Sequence, residues 1–130
     1  MVSAQVEDLF YNMPQRLKGL RSSSDEYARI LAVVQAYAIH NAGIAMACKK
    51  AGSNVADLNT AQNAVTLDIL GSVYGEAVRK ELLEIDAVDD ELGVSFRAWI
   101  SGPNYLGKKS IFLFFINRMN YLLRGRHGVI

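Results

Sequence analysis

Apolar residues recur at a helical spacing over the stretch that begins near residue 23. The spacing i, i+3, i+4, i+7 places them on one face of an amphipathic helix; the positions are Tyr27, Ile30, Leu31, Val34, Tyr37 and Ala38. Ser23 and Glu26 have the spacing of a capping box, in which each side chain bonds a free backbone N–H of the other, so the helix is predicted to begin there. Gly43 is predicted to end it, because a residue in the left-handed conformation is favoured just after a helix.

A second helical pattern begins near Asn63 and is predicted to break or restart at Gly75. Its apolar face holds Val65, Ile69, Val73 and Tyr74. Between the two helices, residues 44–51 and 55–58 flank a Gly-Ser-Asn turn, and this pattern predicts a β-hairpin.

Farther along the chain the apolar period shortens to that of a strand, in which alternate side chains point to opposite faces. Residues 83–87 and residues 94–100 alternate in this way, on either side of an acidic turn at residues 89–91. We therefore predict two strands that are each buried on one face.

Two more strands are predicted near the ends of the chain. Residues 2–7 alternate and run on through residues 9–11, after which Pro14 is predicted to stop the strand. The continuous apolar run at residues 111–116 predicts a central strand. The resulting order, β-α-β-β-α-β-β-β, favours an α+β fold in which two helices cover one face of a sheet.

The composition fits one globular domain or a large piece of one. The chain has 130 residues, of which 51% are apolar and 21% are charged, close to the globular average. Its longest apolar run is far shorter than the roughly 20 residues of a membrane-spanning helix, so no membrane span is predicted. The N-terminus lacks the basic start and apolar stretch of a signal peptide, and we expect no secretion. The single cysteine, Cys48, allows no internal disulfide and fits a reducing compartment.

The charge is divided unevenly along the chain. Residues 1–91 hold 8 bases and 13 acids, a net charge of −5, whereas residues 92–130 hold 6 bases and no acid. Trp99 and Tyr105 lie among those bases. Such a tract predicts a surface for an anionic partner such as nucleic acid. The alternative is a core strand flanked by ordinary solvated bases, and the sequence leaves both open.

Chemistry-bearing motifs are few, and no catalytic residue is predicted. His40 and His127 lie 87 positions apart with no cysteine near either, so no metal site is expected. No GxGxxG and no P-loop motif is present, so no nucleotide site is predicted. Cys48 lies beside Lys49, a setting that can activate a thiol, but the role of a small buried side chain is favoured.

One loop combines an aromatic residue, a flexible glycine and two lysines. These residues are Tyr105, Gly107, Lys108 and Lys109. Such a set can clamp a backbone phosphate. The alternative is a loop that bends away into water, and the sequence does not decide between the two.

Residues 9–20 resemble the signature of MutL-family DNA mismatch repair proteins, FYN-x-P-x-R-x-K-x-L. The matching residues are Phe10, Tyr11, Asn12, Pro14, Arg16 and Lys18. Further family-like segments follow at residues 37–44 and 48–50, which contain the words HNAGI and CKK and are similar to the eukaryotic MutL homologues in particular. The resemblance covers roughly residues 5–118 and ends at Arg118.

The resemblance implies the transducer domain of gyrase- and MutL-type ATPases, a split β-α-β sheet with two helices on one face. It places residues 1–12 at the end of the ATP-binding domain as a linking strand, residues 13–118 in an incomplete transducer domain, and residues 119–130 in a divergent basic tail. Family members bind ATP and magnesium through motifs expected before residue 1 and through a lysine expected after residue 130. The resemblance therefore implies no cofactor and no catalysis in this chain, although the intact family protein would be a weak ATPase.

The function that the resemblance implies is DNA mismatch repair in the nucleus, as a non-catalytic domain that binds DNA and transmits the ATP signal. The expected phosphate contacts are Lys108, Lys109, Arg118, Arg124 and Arg126. Arg16 and Lys18 could contact phosphate or fix the strand-to-helix junction through hydrogen bonds to carbonyls. The implied partners are duplex DNA and, for the intact protein, a MutL paralogue as heterodimer partner and mismatch-recognition proteins; no membrane contact is expected.

Two other classes of function stay open. A protein-interaction module would dock the apolar surface around residues 111–116 onto a partner subunit or domain without contacting DNA. A small-molecule phosphotransferase can share the same split β-α-β shape, although the missing phosphate loop argues against it. DNA retention that collapses as salt rises would distinguish phosphate contact from docking.

Overall fold

The computed structural model describes residues 7–20, 22–103, 105–107 and 111–116, and the backbone of residues 119–121. Over these residues the chain forms four helices and three two-stranded antiparallel sheets, which confirms the predicted α+β class. The helices are α1 (Pro14–Lys18), α2 (Ser23–His40), α3 (Thr66–Tyr74) and α4 (Glu76–Glu81). The strands are β1 (Ala47–Cys48), β2 (Leu58–Asn59), β3 (Leu82–Asp89), β4 (Val94–Ser101), β5 (Phe114–Ile116) and β6 (Met119–Tyr121). β1 pairs with β2, β3 with β4, and β5 with β6.

The long helix α2 is capped one residue before the predicted position. Ser22 is the N-cap, and its hydroxyl accepts a hydrogen bond from the backbone N–H of Asp25 at 3.2 Å. The predicted capping box of Ser23 and Glu26 is wrong, because Ser23 is already helical and Ser22 holds the extended conformation that a cap needs. Asp25 and Glu26 both lie in the first turn, where carboxylates stabilise the positive end of the helix.

The other end of α2 is close to the predicted one. The backbone N–H and the side-chain amide of Asn41 both donate to the Tyr37 carbonyl, each at 2.9 Å. Gly43 then adopts a φ of +96°, the left-handed conformation that the sequence predicts after the helix. Its carbonyl accepts a hydrogen bond from the N–H of Asn63 at 3.1 Å, which ties the end of α2 to the approach of α3.

The core lies between α2, the β1–β2 hairpin and α3. Its buried apolar members are Ala38, Ile39, Leu58, Ile69 and Leu70. The partly buried side chains packed against them include Leu31, Val34, Met46, Cys48, Val73, Tyr74, Leu82, Trp99 and Leu113. Both predicted helix faces contribute, but α2 buries its C-terminal half: Ile30, on the predicted stripe, is 55% exposed.

The predicted β1–β2 hairpin is confirmed, and its ladder is shorter than expected. Two residue pairs join Ala47–Cys48 to Leu58–Asn59, and residues 49–57 form the connection. Thr60 fixes the open end of the hairpin. Its buried hydroxyl accepts a hydrogen bond from the N–H of Met46 at 2.9 Å, and its own N–H donates to the Met46 carbonyl at 2.8 Å.

Gly75 separates α3 from α4, as the sequence predicts, and its φ is +101°. Beyond it, Arg79 in α4 reaches back towards α3. Its guanidinium lies 2.8 Å from the carboxylate of Asp68, which joins the two short helices, and 3.0 Å from that of Glu76 within α4. None of the helices in the described part of the chain is long and apolar enough to cross a membrane.

The predicted β3–β4 hairpin is confirmed, and its ladder runs without interruption from the Leu82–Ser101 pair to the Asp89–Val94 pair. At the end nearest the core, Leu82 and Trp99 pack against the core residues. The opposite face of the ladder is apolar and open to solvent. We call it the apolar hairpin face; its large side chains are 38% to 57% exposed and are Leu83, Ile85, Val94, Phe96 and Ile100. The prediction that each strand buries one face is therefore wrong for most of this hairpin.

The strand predicted at residues 111–116 is confirmed over its second half, and its central position stays a prediction. Only Phe114–Ile116 is a strand, and among the described residues its one ladder neighbour is β6. Phe115 stacks on His40 with ring centroids 4.2 Å apart. Phe115 of the apolar run therefore packs against the C-terminal end of α2.

The predicted first strand lies partly outside the described residues, which do not include residues 2–6. Residues 9–11 form a turn, so the strand prediction is wrong there. Pro14 begins α1, because its missing N–H and fixed φ suit the first turn of a helix.

The described residues form three separate two-stranded sheets. The single split sheet and the transducer fold thus stay predictions.

Candidate nucleic-acid interface

The five bases predicted to contact phosphate all lie outside the residues whose side chains the structure describes: Lys108, Lys109, Arg118, Arg124 and Arg126. Their role stays a prediction. Arg97, the remaining base of the acid-free C-terminal tract, is described and pairs with two acids of the neighbouring strand. Its Nε lies 2.9 Å from Asp86 and 3.5 Å from Glu84, and the hydrogen bond to Asp86 is the main cause that raises the pKa of Arg97. A guanidinium paired in this way has little positive potential left for a DNA phosphate.

The family-motif segment, residues 8–18, is a turn followed by α1. Asp8 and Phe10 have left-handed φ values of 49° and 66°. Few non-glycine residues adopt this conformation, and a bulky one such as phenylalanine does so only where its surroundings require it. The backbone N–H of Tyr11 closes the turn by donating to the Asp8 carbonyl at 2.9 Å. The motif thus forms a tight change of direction immediately before Pro14.

Within this segment Arg16 lies over the ring of Phe10, its guanidinium carbon 5.7 Å from the ring centroid, a cation–π distance. The side chains of Arg16 and Lys18 form no hydrogen bond to a carbonyl of any described residue. Among the described residues, the junction before α1 is therefore not fixed by such bonds. The ring contact and the backbone bonds hold the turn instead. Tyr11, Asn12 and Lys18 are exposed. Whether they contact phosphate stays a prediction.

A basic site that the sequence prediction missed lies between β1 and β2. We call residues 49–56 the basic hairpin loop, since they hold Lys49 and Lys50 and no acid. Both lysines are exposed. The signal that could have found them is an acid-free run over residues 27–56, which is shorter than the acid-free run at the C-terminal end.

The acid nearest to this loop in sequence is engaged by α2. Asp57 accepts a hydrogen bond from the hydroxyl of Tyr27, and this bond is the main cause that raises the pKa of Tyr27. Burial and the neighbouring Cys48 contribute to the same shift. Cys48 is half-buried, with its sulfur 3.9 Å from the Tyr27 hydroxyl oxygen. These contacts fasten the hairpin to α2, and Cys48 packs within it as the sequence favoured.

The other sequence candidates are packed against neighbouring groups. The His40 ring is nearly parallel to that of Phe115, with an interplanar angle of 7°. Tyr105 is half-buried and its ring packs against Gly107, so the aromatic residue of the predicted phosphate loop covers its own backbone. In the part of the chain that the structure describes, no group of three or more His, Cys, Asp or Glu side chains is placed to hold a metal ion.

Curated proteins similar to this chain match it over most of its length. The chain is 40% identical to the DNA mismatch repair protein MLH1 of Saccharomyces cerevisiae over 115 residues, which cover 86% of the chain and 15% of that protein. It is 36% identical to the putative MutL protein homolog 1 of Schizosaccharomyces pombe over 114 residues, 85% of the chain and 17% of that protein. The DNA mismatch repair protein MutL of Halothermothrix orenii is 32% identical over 114 residues, 87% of the chain and 17% of that protein.

These relatives define a class, the proteins of DNA mismatch repair. No family model matches the chain. The identities to the named relatives extend over most of the chain, and they show that it belongs to the MutL family, which confirms the resemblance seen in the motif segment. The chain spans between 15% and 17% of the length of these relatives.

Proposed function

We propose that the chain works in DNA mismatch repair as a non-catalytic domain that binds DNA and transmits the ATP signal of a MutL-type protein. The observation that carries this proposal is the identity of 32% to 40% to mismatch repair proteins over most of the chain. The α+β class is compatible with the transducer domain. In this proposal residues 1–12 link to the ATP-binding domain, residues 13–118 belong to the transducer domain, and residues 119–130 form a basic tail.

The ATP-dependent step belongs to the neighbouring ATP-binding domain. ATP and magnesium bind there in the intact protein, and this chain holds no cofactor of its own. Dimerisation with a MutL paralogue, driven by ATP, would reposition this domain around duplex DNA, and mismatch-recognition proteins would act with the same complex. The eukaryotic relatives support a nuclear location.

The proposed DNA contact is electrostatic. Each base of the set would neutralise one backbone phosphate and release the counterions condensed on it; the set is Lys108, Lys109, Arg118, Arg124 and Arg126. Contacts of this kind position a protein on the duplex without reading its sequence. Arg97 is left out of the set, because Asp86 and Glu84 already neutralise it.

Fluorescence anisotropy with a labelled DNA duplex tests the proposed contact. The logarithm of affinity falls by about 0.9 per phosphate contact for each unit of log salt, so five contacts predict a loss of about 500-fold or more between about 50 and 200 mM salt. An affinity that stays constant over this range would contradict phosphate contact.

A double variant locates the contact on the chain. Lys108→Ala/Lys109→Ala is expected to reduce the magnitude of the salt slope by about 1.8, because two phosphate contacts are lost. The matched control Arg29→Ala/Lys80→Ala removes the same formal charge from exposed positions on α2 and α4 and should leave the slope unchanged. Equal reductions in both variants would show that net charge alone decides the affinity.

Docking onto another protein is the second candidate function, and the apolar hairpin face favours it. The large side chains of this face are 38% to 57% exposed along one side of a regular ladder. Contiguous exposed apolar patches mark interaction sites. This candidate is tested by measuring, at high salt, how much purified MutL paralogue is captured by the unchanged chain and by its variant Phe96→Ser. Loss of capture in the variant supports docking through this face, and equal capture by both proteins contradicts it.

A further inference from the structure

The basic hairpin loop carries positive charge that the described carboxylates leave unneutralised. Three of the four described arginines, Arg29, Arg79 and Arg97, form ion pairs of 3.4, 2.8 and 2.9 Å with acids, and the fourth, Arg16, lies over the Phe10 ring. Neither Lys49 nor Lys50 has a carboxylate of any described residue at ion-pair distance. Two adjacent exposed ammonium groups thus stand free at the end of the hairpin.

The acid nearest to the loop, Asp57, is directed towards α2. The N–H of Asp57 donates to the Cys48 carbonyl at 2.9 Å, which places Asp57 next to the start of the loop and beside Lys49. The carboxylate of Asp57 would be the closest partner in sequence for that lysine. It accepts the hydroxyl of Tyr27 instead. The carboxylate keeps its negative charge, but the bond directs it towards α2, and it forms no ion pair with Lys49.

The loop is also held in shape before any partner arrives. The N–H of Ser53 donates to the Lys50 carbonyl at 3.0 Å, and Gly52, third in this turn, has the φ of +80° that a type II turn requires. The Ser53 hydroxyl then donates to the Val55 carbonyl at 2.9 Å and accepts from its N–H at 3.2 Å. A loop that is already ordered loses less conformational entropy on binding.

We propose that the basic hairpin loop contacts the phosphate backbone of duplex DNA, in addition to the bases beyond residue 107. This inference rests on the proposed DNA-binding function and adds a second region of contact. A lysine ammonium is a compact point charge that neutralises a phosphate without demanding one geometry. The exposed amide of Asn54 adds an uncharged donor of the kind that contacts phosphate and sugar oxygens. The contact is independent of base sequence, because every nucleotide presents the same phosphate.

The test compares the unchanged full chain with the double variant Lys49→Ala/Lys50→Ala and measures how the affinity of each for duplex DNA depends on salt. The variant is expected to reduce the magnitude of the log–log salt slope by about 1.8, the contribution of two phosphates. Both lysines are exposed, so the urea midpoint of the variant should match that of the unchanged chain. A variant with the unchanged slope overturns the inference.

Two further variants separate position from charge. Lys49→Arg/Lys50→Arg keeps both charges and should keep the slope. Arg29→Ala/Lys80→Ala removes two charges elsewhere and should also keep it. A loss of slope in either of these variants overturns a contact that depends on the charges of this loop.

The loop contact and the proposed function fail in different ways. If the unchanged chain binds duplex DNA without salt dependence, both are overturned. If the slope falls in Lys108→Ala/Lys109→Ala and not in Lys49→Ala/Lys50→Ala, the loop contact alone is overturned. A fall in both double variants, with the Arg29→Ala/Lys80→Ala control unchanged, supports the two contacts together.

Discussion

Two regions of the molecule have equally regular apolar patterns but differ in how far those apolar residues are buried. One is the packed region of α2, β1–β2 and α3, and the other is the β3–β4 hairpin. In the packed region the apolar stripe of α3 and the C-terminal half of the stripe of α2 meet other elements, and Ile69 is 2% exposed. In the hairpin the alternation is just as clear, yet Phe96 is 54% exposed. A periodic pattern therefore decides which side chains share a face. Whether another element covers that face depends on contacts distant in sequence.

The largest expected effect is a difference between the two regions in how much one substitution lowers the free energy of unfolding. Ile69→Ala should lower the free energy of unfolding by about 2–5 kcal/mol, because it removes buried contacts and leaves a cavity. Phe96→Ala should cost less than about 1.5 kcal/mol, since half of that ring is already in solvent. Urea unfolding followed by fluorescence measures both. Equal losses would contradict the contrast between the regions.

A smaller effect is expected at the open end of the β1–β2 hairpin. Thr60→Val keeps the shape of the side chain but removes the oxygen that accepts the N–H of Met46. A buried donor left without a partner costs about 1–3 kcal/mol, so the free energy of unfolding should fall by that amount. Thr60→Ser retains the hydroxyl and should lose less. Similar losses in the two variants would show that packing of the methyl group is what matters.

The link between α2 and the hairpin should be visible in a pH titration. The hydrogen bond to Asp57 raises the pKa of Tyr27, because ionisation would break that bond and bring two negative charges together. Its stabilising contribution is complete below the ordinary tyrosine pKa of about 10 and is lost as the pH rises through the higher folded value. Ultraviolet absorbance of tyrosinate should show a late transition that Tyr27→Phe lacks.

Tyr74 supplies the control for this titration, since burial alone raises its pKa. Its transition should persist in Tyr27→Phe. A Tyr27 that ionises together with exposed tyrosines would mean that the bond to Asp57 does not form in solution.

The smallest effect is expected in the hairpin. Arg97→Ala should leave the urea midpoint within experimental error, because Arg97, Glu84 and Asp86 are all more than half exposed and ion pairs in water contribute little to stability. A clear drop in the midpoint would show that these ion pairs support the ladder and would narrow the contrast between the regions.

Local signals predicted most of the elements. The spacing of apolar residues placed α2, α3 and both confirmed hairpins, since each pattern depends on neighbours a few residues apart. The N-cap of α2 was missed by one residue because adjacent serines are equally able to cap, and only the backbone conformation at Ser22 selects one of them. Pro14 was misassigned for a related reason: proline both interrupts a strand and suits the first turn of a helix.

The candidate site was harder to predict, because it depends on partners distant in sequence. Counting charge along the chain favoured the longest acid-free tract and passed over Lys49 and Lys50. The nearest acid to those lysines, Asp57, is directed towards α2 by its bond to Tyr27, and these two residues are 30 positions apart. Arg97 was counted with the basic C-terminal tract, since its pairing with Asp86 appears only when the strands are in register.

The way the β3–β4 hairpin is attached gives the protein a built-in optical reporter. Trp99, the only tryptophan of the chain, packs on the core from the Glu84–Trp99 pair, and the Asp89–Val94 pair lies about 17 Å farther along the ladder at a rise of about 3.3 Å per residue. Because the paired strands form a continuous ladder, a displacement of the distal turn is transmitted to the end of the hairpin that packs on the core. Indole emission from unlabelled protein should therefore register a molecule that binds at the distal turn, without an introduced dye.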